Sequence, residues 1–541
     1  MFFFSTLILI FVLFFLTNQL LFLLEHNFYF YIDFGNFLSI LDILDSNFLF
    51  LVDFLALLSS ILVVFLTIFA QYFGVEYMYR EAFITRLVYL LNMFATSVVF
   101  LFFVYDFFLI LVAWELIGLF SLLLVNFYSI RVYTIKAALK TFIFSRFSDL
   151  LIFIVFLFLV LLFNSTDLSV LFLQIPFFIF YNVYILGVGT NILNLMAVLL
   201  VISSAVKAAQ FFFHVWLPDA MEAPTPASAL IHSSTLVIMG IYLIIRFQIL
   251  FEFSIVANFL LAVLGSLTIA LGAVSASFQN DIKKLVAYST ISQMGYLFCG
   301  CGFLCYNEVL FYLIVHALNK AFLFIIVGYV VHFFNGNTDL RYMGSLLFYA
   351  LDLAFILFII SLNLTGLPYT AGFLTKELLL FQTFRDDFLI LFVRALWFIS
   401  FFFTPFYMIL LNLTVFFYFK LNTVNMYLKN KVHKLNFFFF VEKPLLKLNY
   451  SIIIARTTTI VLFIFYFIVV FFGEFFLEFL LGYSSPQLFL IKANWSYLDF
   501  GLNNFVLLNS TSLQYYISYI VSLIFILTCR YLYLIRNPRL I

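Results

Sequence analysis

A series of ionisable side chains sits in apolar sequence, where ionised groups are costly. Glu115 lies in Val112-Ala-Trp-Glu-Leu-Ile-Gly118, and Arg146 and Asp149 share one helix face at i,i+3 in Phe144-Ser-Arg-Phe-Ser-Asp149. Lys207 lies in Ser203-Ser-Ala-Val-Lys-Ala-Ala-Gln210, and His232 in Ala229-Leu-Ile-His-Ser-Ser234. His316 and Lys320 form an i,i+4 pair in His316-Ala-Leu-Asn-Lys320, and Lys376 and Glu377 close Gly372-Phe-Leu-Thr-Lys-Glu377. An ion at mid-bilayer costs about 2.5–3.5 kcal/mol even on the lenient insertion scale. Acids, bases and imidazoles repeated at that depth suit the transfer of protons, because burial and neighbouring charges tune which of them holds one.

Plainer roles compete for some of these groups. Arg146 and Asp149 also suit a neutral intrahelical pair that fixes packing, and Lys136 and Lys140, near a span start, suit snorkelling to the interface. Lys207 has no acid on its own helix, so its partner must come from another. Cys299, Cys301 and Cys305 are spaced like metal ligands but have no His or acid beside them, and they read as small packed residues. No Rossmann glycine pattern, cluster-type cysteine set or haem signature is present, so electron chemistry would have to take place in partner chains.

The elements that carry these groups follow from composition. Of 541 residues 66% are hydrophobic and 9% charged, too few polar groups to cover a water-facing surface. A soluble enzyme, a nucleic-acid binder and a disordered chain are excluded, and continuous apolar runs exclude a transmembrane β-barrel. The chain is an all-α polytopic membrane protein. Apolar runs cover 2–24, 47–72, 84–104, 106–127, 136–163, 190–210, 227–248, 253–278, 284–303, 306–333, 345–364, 389–419, 453–480 and 515–535. They predict about 14–15 transmembrane helices at roughly 20 residues each. The segments 25–46, 168–186 and 480–514 are more polar or broken. Lys420, Lys429, Lys431, Lys434, Lys443 and Lys447 make 420–447 basic and place it on the cytoplasmic or matrix side. Two runs are interrupted beside a lysine, at Phe213-His-Val-Trp-Leu-Pro-Asp219 with Ala223-Pro-Thr-Pro-Ala227, and at Thr365-Gly-Leu-Pro-Tyr-Thr-Ala-Gly372. Broken backbone inside a bilayer must be buried or line a wet cavity, and paired interruptions point to a transporter with inverted repeats.

These residues resemble a known family. Trp114-Glu115, the Arg146/Asp149 run, Lys207 with Trp216-Leu-Pro-Asp-Ala-Met221, Ala223-Pro-Thr-Pro-Ala-Ser-Ala-Leu-Ile-His232, Asp281-Ile-Lys-Lys-Leu-Val-Ala-Tyr-Ser-Thr290, Ser292-Gln-Met-Gly-Tyr296 and His316-Ala-Leu-Asn-Lys-Ala321 occur in the order found in the subunit 5 family of NADH:ubiquinone oxidoreductase (respiratory complex I). The likeness covers about 50–385, and the fold is shared with the sister subunits 2 and 4 and with Mrp-type cation/proton antiporters. It implies two inverted five-helix repeats with broken helices, at 84–248 and 249–419, between N-terminal spans in 1–83 and a C-terminal region, 420–541. It implies that Glu115 modulates Lys207, that His232 links Lys207 to Lys320, with His316 one turn away, and that Lys376 and Glu377 form the terminal station.

The resemblance further implies a proton-translocating membrane-arm subunit, acting as part of an enzyme whose NADH, FMN, iron–sulfur clusters and ubiquinone reside in other subunits. No cofactor is expected in this chain. Its expected partners are other complex I subunits, the antiporter-like subunit 4 above all, and membrane lipid, with no nucleic acid. The family usually has a further N-terminal span and a long lateral helix before the last span. Here one run precedes Leu51-Val-Asp53, and 480–514 contains Pro486 and Gly501. The 84 Phe, with many Leu, Ile and Tyr, fit T-rich codons of an organelle genome, and Met1–Phe2 leads straight into a span without a basic presequence. The expected location is the mitochondrial inner membrane. The alternatives are an Mrp-type antiporter without a redox partner and a purely structural anchor; the buried acids and bases count against the anchor.

Overall fold

The structure, a computed structural model, describes residues 2–417 except 27–28, 41–43, 79–80, 82, 186–187, 335, 345, 349, 368–369 and 382–387. The runs 453–480 and 515–535, the basic segment 420–447, the segment 480–514 and the region 420–541 as a whole lie outside the described residues. The N-terminal part comprises α1 (Phe2–His26), an antiparallel hairpin of β1 (Phe30–Ile40) and β2 (Leu44–Val52), and α2 (Phe54–Tyr77). The run expected to be helical from 47 is thus a strand up to Val52, whose partner is Phe30. The helix starts one residue later because Asp53 caps it, its Oδ1 accepting from Ala56 N at 2.9 Å.

There follow α3 (Ile84–Phe103), α4 (Phe107–Val125), α5 (Val132–Phe163), the short α6 (Leu168–Gln174), and a small hairpin of β3 (Asn182–Ile185) and β4 (Val188–Asn191). Next are α7 (Ile192–Lys207), one-turn α8 (Trp216–Asp219), α9 (Thr225–Ser233), α10 (Leu236–Arg246) and short α11 (Gln248–Glu252). The second half holds α12 (Ile255–Ser277), α13 (Ile282–Gly302), α14 (Tyr306–Phe333), α15 (Leu351–Thr365), α16 (Ala371–Phe381) and α17 (Phe388–Asn412). Among the described residues nine helical segments, α9–α10 taken as one, are long and apolar enough to cross a membrane. With α7, α13 and the pair α15–α16 they account for every apolar run read between 2 and 419.

The bundle has two chemically distinct ends. At one, the hairpins meet the start of α2 and the end of α10, where Arg246 pairs with Asp53 at 2.5 Å and donates to Phe102 O at 3.0 Å. At the other, α2 meets α14 through a hydrogen bond from Tyr329 OH to Glu76 Oε2 at 2.7 Å. This second end carries Arg86, Arg131, Lys136, Lys140, Lys283, Lys284 and Arg341, which marks it as the cytoplasmic or matrix side. Lys140 is held there by Asp219 at 2.5 Å, so it is paired as well as near the interface.

Five spans run from α3 to α9–α10, and five more from α12 to α17. α3 starts at the basic end and α12 at the hairpin end, so the two sets have opposite topology. In both sets the fourth span is broken, α7 after Lys207 and α15–α16 around Gly366. Lipid offers no hydrophobic drive for helix pairing, so close backbone approach does the work. α12 and α13 meet through Gly265 and Gly295; a Cβ on Gly265 would lie 2.6 Å from Cys299 N. The three described cysteines, Cys299, Cys301 and Cys305, are buried and form no disulfide among the described residues.

Candidate functional site

The first part of the site comes from three adjacent helices. Lys207, in the last turn of α7, is buried and its Nζ lies 3.6 Å from Asp149 Oδ1 on α5. Arg146, one turn earlier on α5, holds Asp149 Oδ2 at 3.2 Å and approaches Glu115 Oε2 of α4 at 3.9 Å. Two acids and two bases therefore form a chain of balanced charge. Lys207 Nζ also faces Trp114, 3.4 Å from its carbonyl and 5.2 Å from the ring centroid. The indole is fixed because Trp114 Nε1 donates to Ser148 Oγ at 2.9 Å. Gly118 leaves room for the ammonium: a Cβ there would stand 3.3 Å from Lys207 Nζ. The resemblance implied that Glu115 modulates Lys207; the structure puts Asp149 nearest to Lys207 and Glu115 farther off, beside Arg146. The i,i+3 spacing put Asp149 on one face with Arg146, and the face that it shares with Ser145 and Ser148 is the one turned towards α7.

The break after Lys207 is built from the chain itself. Ala209 and Phe212 have left-handed φ values of 50° and 69°, and Trp216 folds back so that its Nε1 donates to Val206 O at 3.0 Å. Gln210, just past the break, accepts from Thr268 Oγ1 of α12 at 2.7 Å. A small, mostly apolar crevice touches Lys207, and its polar lining besides the lysine is Ser121, Thr141 and Ser145, beside Trp216. Each of these three hydroxyls donates to a carbonyl one turn back on its own helix, which leaves its oxygen free to accept from water.

His232 ends α9 against α14, its ring 6.3 Å from that of Trp216 and 6.0 Å from that of Phe324. Both its nitrogens, and both of His316, are buried with no hydrogen-bond partner among the described residues. Lys320, fully buried on α14, donates to Ser289 Oγ of α13 at 2.7 Å. Lys376 of α16 lies 5.7 Å from the Tyr296 ring centroid, and its Nζ donates to Leu364 O at the end of α15. Gly366, with φ +75°, ends α15 in the left-handed turn that only glycine adopts freely, and Asn363 Oδ1 accepts from Gly372 N at 2.6 Å to close the break. Neither Lys320 nor Lys376 has an ion-pair partner among the described residues. Glu377 lies on α16 beside Lys376; its side chain is outside the described residues.

Two five-span sets of opposite topology, each with a broken fourth span next to a buried lysine, define a polytopic membrane protein with an antiporter-type fold. The chain belongs to the NADH:quinone oxidoreductase/Mrp antiporter transmembrane family, whose family model matches residues 104–404. Among its relatives, NADH-ubiquinone oxidoreductase chain 5 of Nyctotherus ovalis is 44% identical over 358 residues, 65% of this chain and 19% of that protein. Chain 5 of Dictyostelium discoideum is 37% identical over 327 residues, 60% of this chain and 49% of the relative. Chain 5 of Chondrus crispus is 43% identical over 271 residues, 49% and 40% of the two chains. The chain thus spans about half or less of the length of these curated relatives. The structure of the Mrp complex from Dietzia sp. DQ12-45-1b matches with a TM-score of 0.64 at 22% identity, over 92% of this chain and 56% of that one, a likeness of fold.

Proposed function

We propose that the chain is a proton-translocating membrane-arm subunit of NADH:ubiquinone oxidoreductase, in a mitochondrial inner membrane, with residues 84–248 and 249–419 as its two repeats. NADH, FMN, iron–sulfur clusters and ubiquinone would act in other subunits, and this chain would take part in the enzyme by moving protons. The observation that carries the reading is the chain of charge that runs from the partly exposed Glu115 and Arg146 to the buried Asp149 and Lys207.

Protons from the basic end would reach Lys207 along the hydroxyls of the crevice. Asp149 holds the ammonium form, and Arg146 sets how strongly it does so. With Arg146 drawn towards Glu115, the full charge of Asp149 serves Lys207; with Arg146 closed on Asp149, Lys207 is released to give its proton towards His232. Glu115 then modulates Lys207 at one remove. Lys320, Lys376 and Glu377 carry the transfer onward, with His316 beside Lys320. Moving one charge across the membrane costs about 2.3 kcal/mol per 100 mV, so a respiratory potential demands about 4 kcal/mol per proton. An ion pair near 4 Å contributes about that much at an effective dielectric of 20.

The partner follows from exposure. The Glu115 and Arg146 side chains are 46% and 33% exposed in mid-span, an arrangement that lipid would penalise. That exposure supports a neighbouring membrane subunit against the α4–α5 face, the antiporter-like subunit 4 in this reading. Gentle extraction and native separation with in-gel NADH oxidation test the assignment. Comigration of the chain with a large NADH-oxidising band is expected; a chain running free of it would move the assignment to an Mrp-type antiporter, assayed by cation-driven proton flux in vesicles.

A further inference from the structure

The second span of each five-span set begins on an aspartate, and the chain repeats one short motif to meet it. Thr166-Asp167-Leu168 lies antiparallel to the start of α4, and Thr338-Asp339-Leu340 lies antiparallel to the start of α13. Asp106 faces Asp167 in the first set, and Asp281 faces Asp339 in the second. The backbone bonds match. Phe107 N donates to Thr166 O at 2.9 Å and Leu168 N to Tyr105 O at 3.2 Å, as Ile282 N does to Thr338 O at 2.9 Å and Leu340 N to Asn280 O at 2.8 Å. Bonds that flank a facing pair in this way bring its side chains closest, and like charges directly opposite repel.

The two halves answer that repulsion differently. At the basic end, Lys284 lies 3.7 Å from Asp281 and Arg341 lies 2.6 Å from Asp339. The matching positions of the first half hold Leu109 and Ser169 instead. Asp106 is fully buried there and Asp167 nearly so. The Asp106 carboxylate caps α4, its Oδ1 accepting from Phe108 N at 2.8 Å and Leu109 N at 3.2 Å, and its Oδ2 accepts from Thr166 Oγ1 at 2.6 Å. The Asp167 carboxyl is within hydrogen-bonding reach of it. A carboxylate offers only acceptors, so a hydrogen bond between the two needs a proton, and the three donors already on Asp106 leave that proton to Asp167. Burial holds the Asp106 carboxyl, which lies just before its span, above the usual carboxylate range despite those donors.

We propose that Asp106 and Asp167 share one proton and form a pH-sensitive latch between α4 and α6, on the side of the membrane opposite the basic end. With the proton in place, the latch ties α4, which carries Glu115, to the segment that follows α5. When the proton leaves, two buried carboxylates face each other and the start of α4 loosens. The other titratable groups at this end are engaged with one another. Arg246 pairs with Asp53 at 2.5 Å, Tyr105 faces Arg246 at 5.7 Å, and the Tyr31 and Tyr105 rings lie 5.6 Å apart. The last turns of α3 and α5, the end of β2 and all of α6 carry no ionisable side chain. Stability from the latch is therefore complete below the ordinary carboxylate range and is lost as pH rises through the higher value of the pair. The inference does not depend on what the chain transports.

The test follows the fraction of this chain that stays in its native membrane assembly after warming at graded pH, read by native separation and detection of the chain. Asp167→Asn keeps a side-chain donor for Asp106 and cannot titrate. Alkaline pH is expected to speed loss of the parental assembly, and Asp167→Asn to make that acceleration about tenfold smaller, the factor for one pKa unit in a single group. Asp339→Asn, at the counterpart paired with Arg341, should keep the parental pH profile. Where Asp167→Asn does not assemble, Asp106→Asn keeps a cap on α4 and leaves a single carboxyl, with the same flattening expected. In sealed vesicles of known orientation, the acceleration should follow the pH on the hairpin side. A parental pH profile in an assembled Asp167→Asn or Asp106→Asn variant, or a profile that follows the pH at the basic end, would overturn the latch and leave the proton-translocating reading untouched.

Discussion

Replacing Asp149 with Asn tests the centre of the scheme. Its carboxylate lies 3.6 Å from Lys207 Nζ, and both side chains are almost fully buried. Coulomb's law at an effective dielectric of 20 gives about 4.6 kcal/mol for a pair at that separation. Breaking one side of a buried pair typically costs about 3–5 kcal/mol, which agrees. The substitution is close to isosteric, so the change falls on charge and leaves volume alone. A loss of this size equals roughly a thousandfold change in an equilibrium and matches the work of moving one proton against a respiratory potential. Glu115→Gln should do less, because Glu115 is half exposed and its ion-pair contact is with Arg146 at 3.9 Å. The assay compares proton-to-electron stoichiometry with NADH oxidation by an artificial acceptor, which reports on the rest of the complex. Asp149→Asn should lose coupled turnover with acceptor activity and assembly retained, and Glu115→Gln should show a milder fall. An assembled Asp149→Asn complex with full stoichiometry would refute the role of the ion pair.

Two further substitutions probe packing and architecture. Gly118→Val should push the Lys207 ammonium aside and abolish coupled turnover in an assembled complex, whereas Gly118→Ala, whose Cβ meets Nζ at 3.3 Å, should be tolerated with a modest loss. Arg246→Met leaves Asp53 unpaired beneath the hairpins and should lower stability by about 3–5 kcal/mol, seen as reduced assembled complex on native gels. The double variant with Asp53→Asn should recover part of that loss.

Much of this was legible in the residues. Apolar run length gave the spans from α3 to α14 and α17 within a few residues but missed α16, Ala371–Phe381, which falls in none of the runs; the interruptions beside Lys207 and Lys376 located both breaks. The β1–β2 hairpin was not legible, because in so apolar a chain a strand and the start of a span have the same composition; Asp53 as an N-cap was the available signal. The pairing of Lys207 was only half legible. One sequence tells which groups are buried, but not how α4, α5 and α7 are rotated against one another, and that rotation chose Asp149 over Glu115. The clamp of Arg246 on Asp53 joins residues 193 positions apart, and no local spacing announces it.

The break after Lys207 has an effect beyond flexibility. A helix that crosses the whole bilayer delivers the partial charges of its ends to the headgroups, where water and salt mask them. α7 stops inside, with Lys207 in its last turn, so the negative end of its peptide dipoles stays in a medium that masks little. That end is a fixed counter-charge that no change of pH titrates. It keeps part of the cationic preference of Lys207 in place whatever Asp149 and Arg146 are doing. A replacement that let the helix continue through Ala209 and Phe212 would erase this contribution, and so retune the site without altering a single ionisable group.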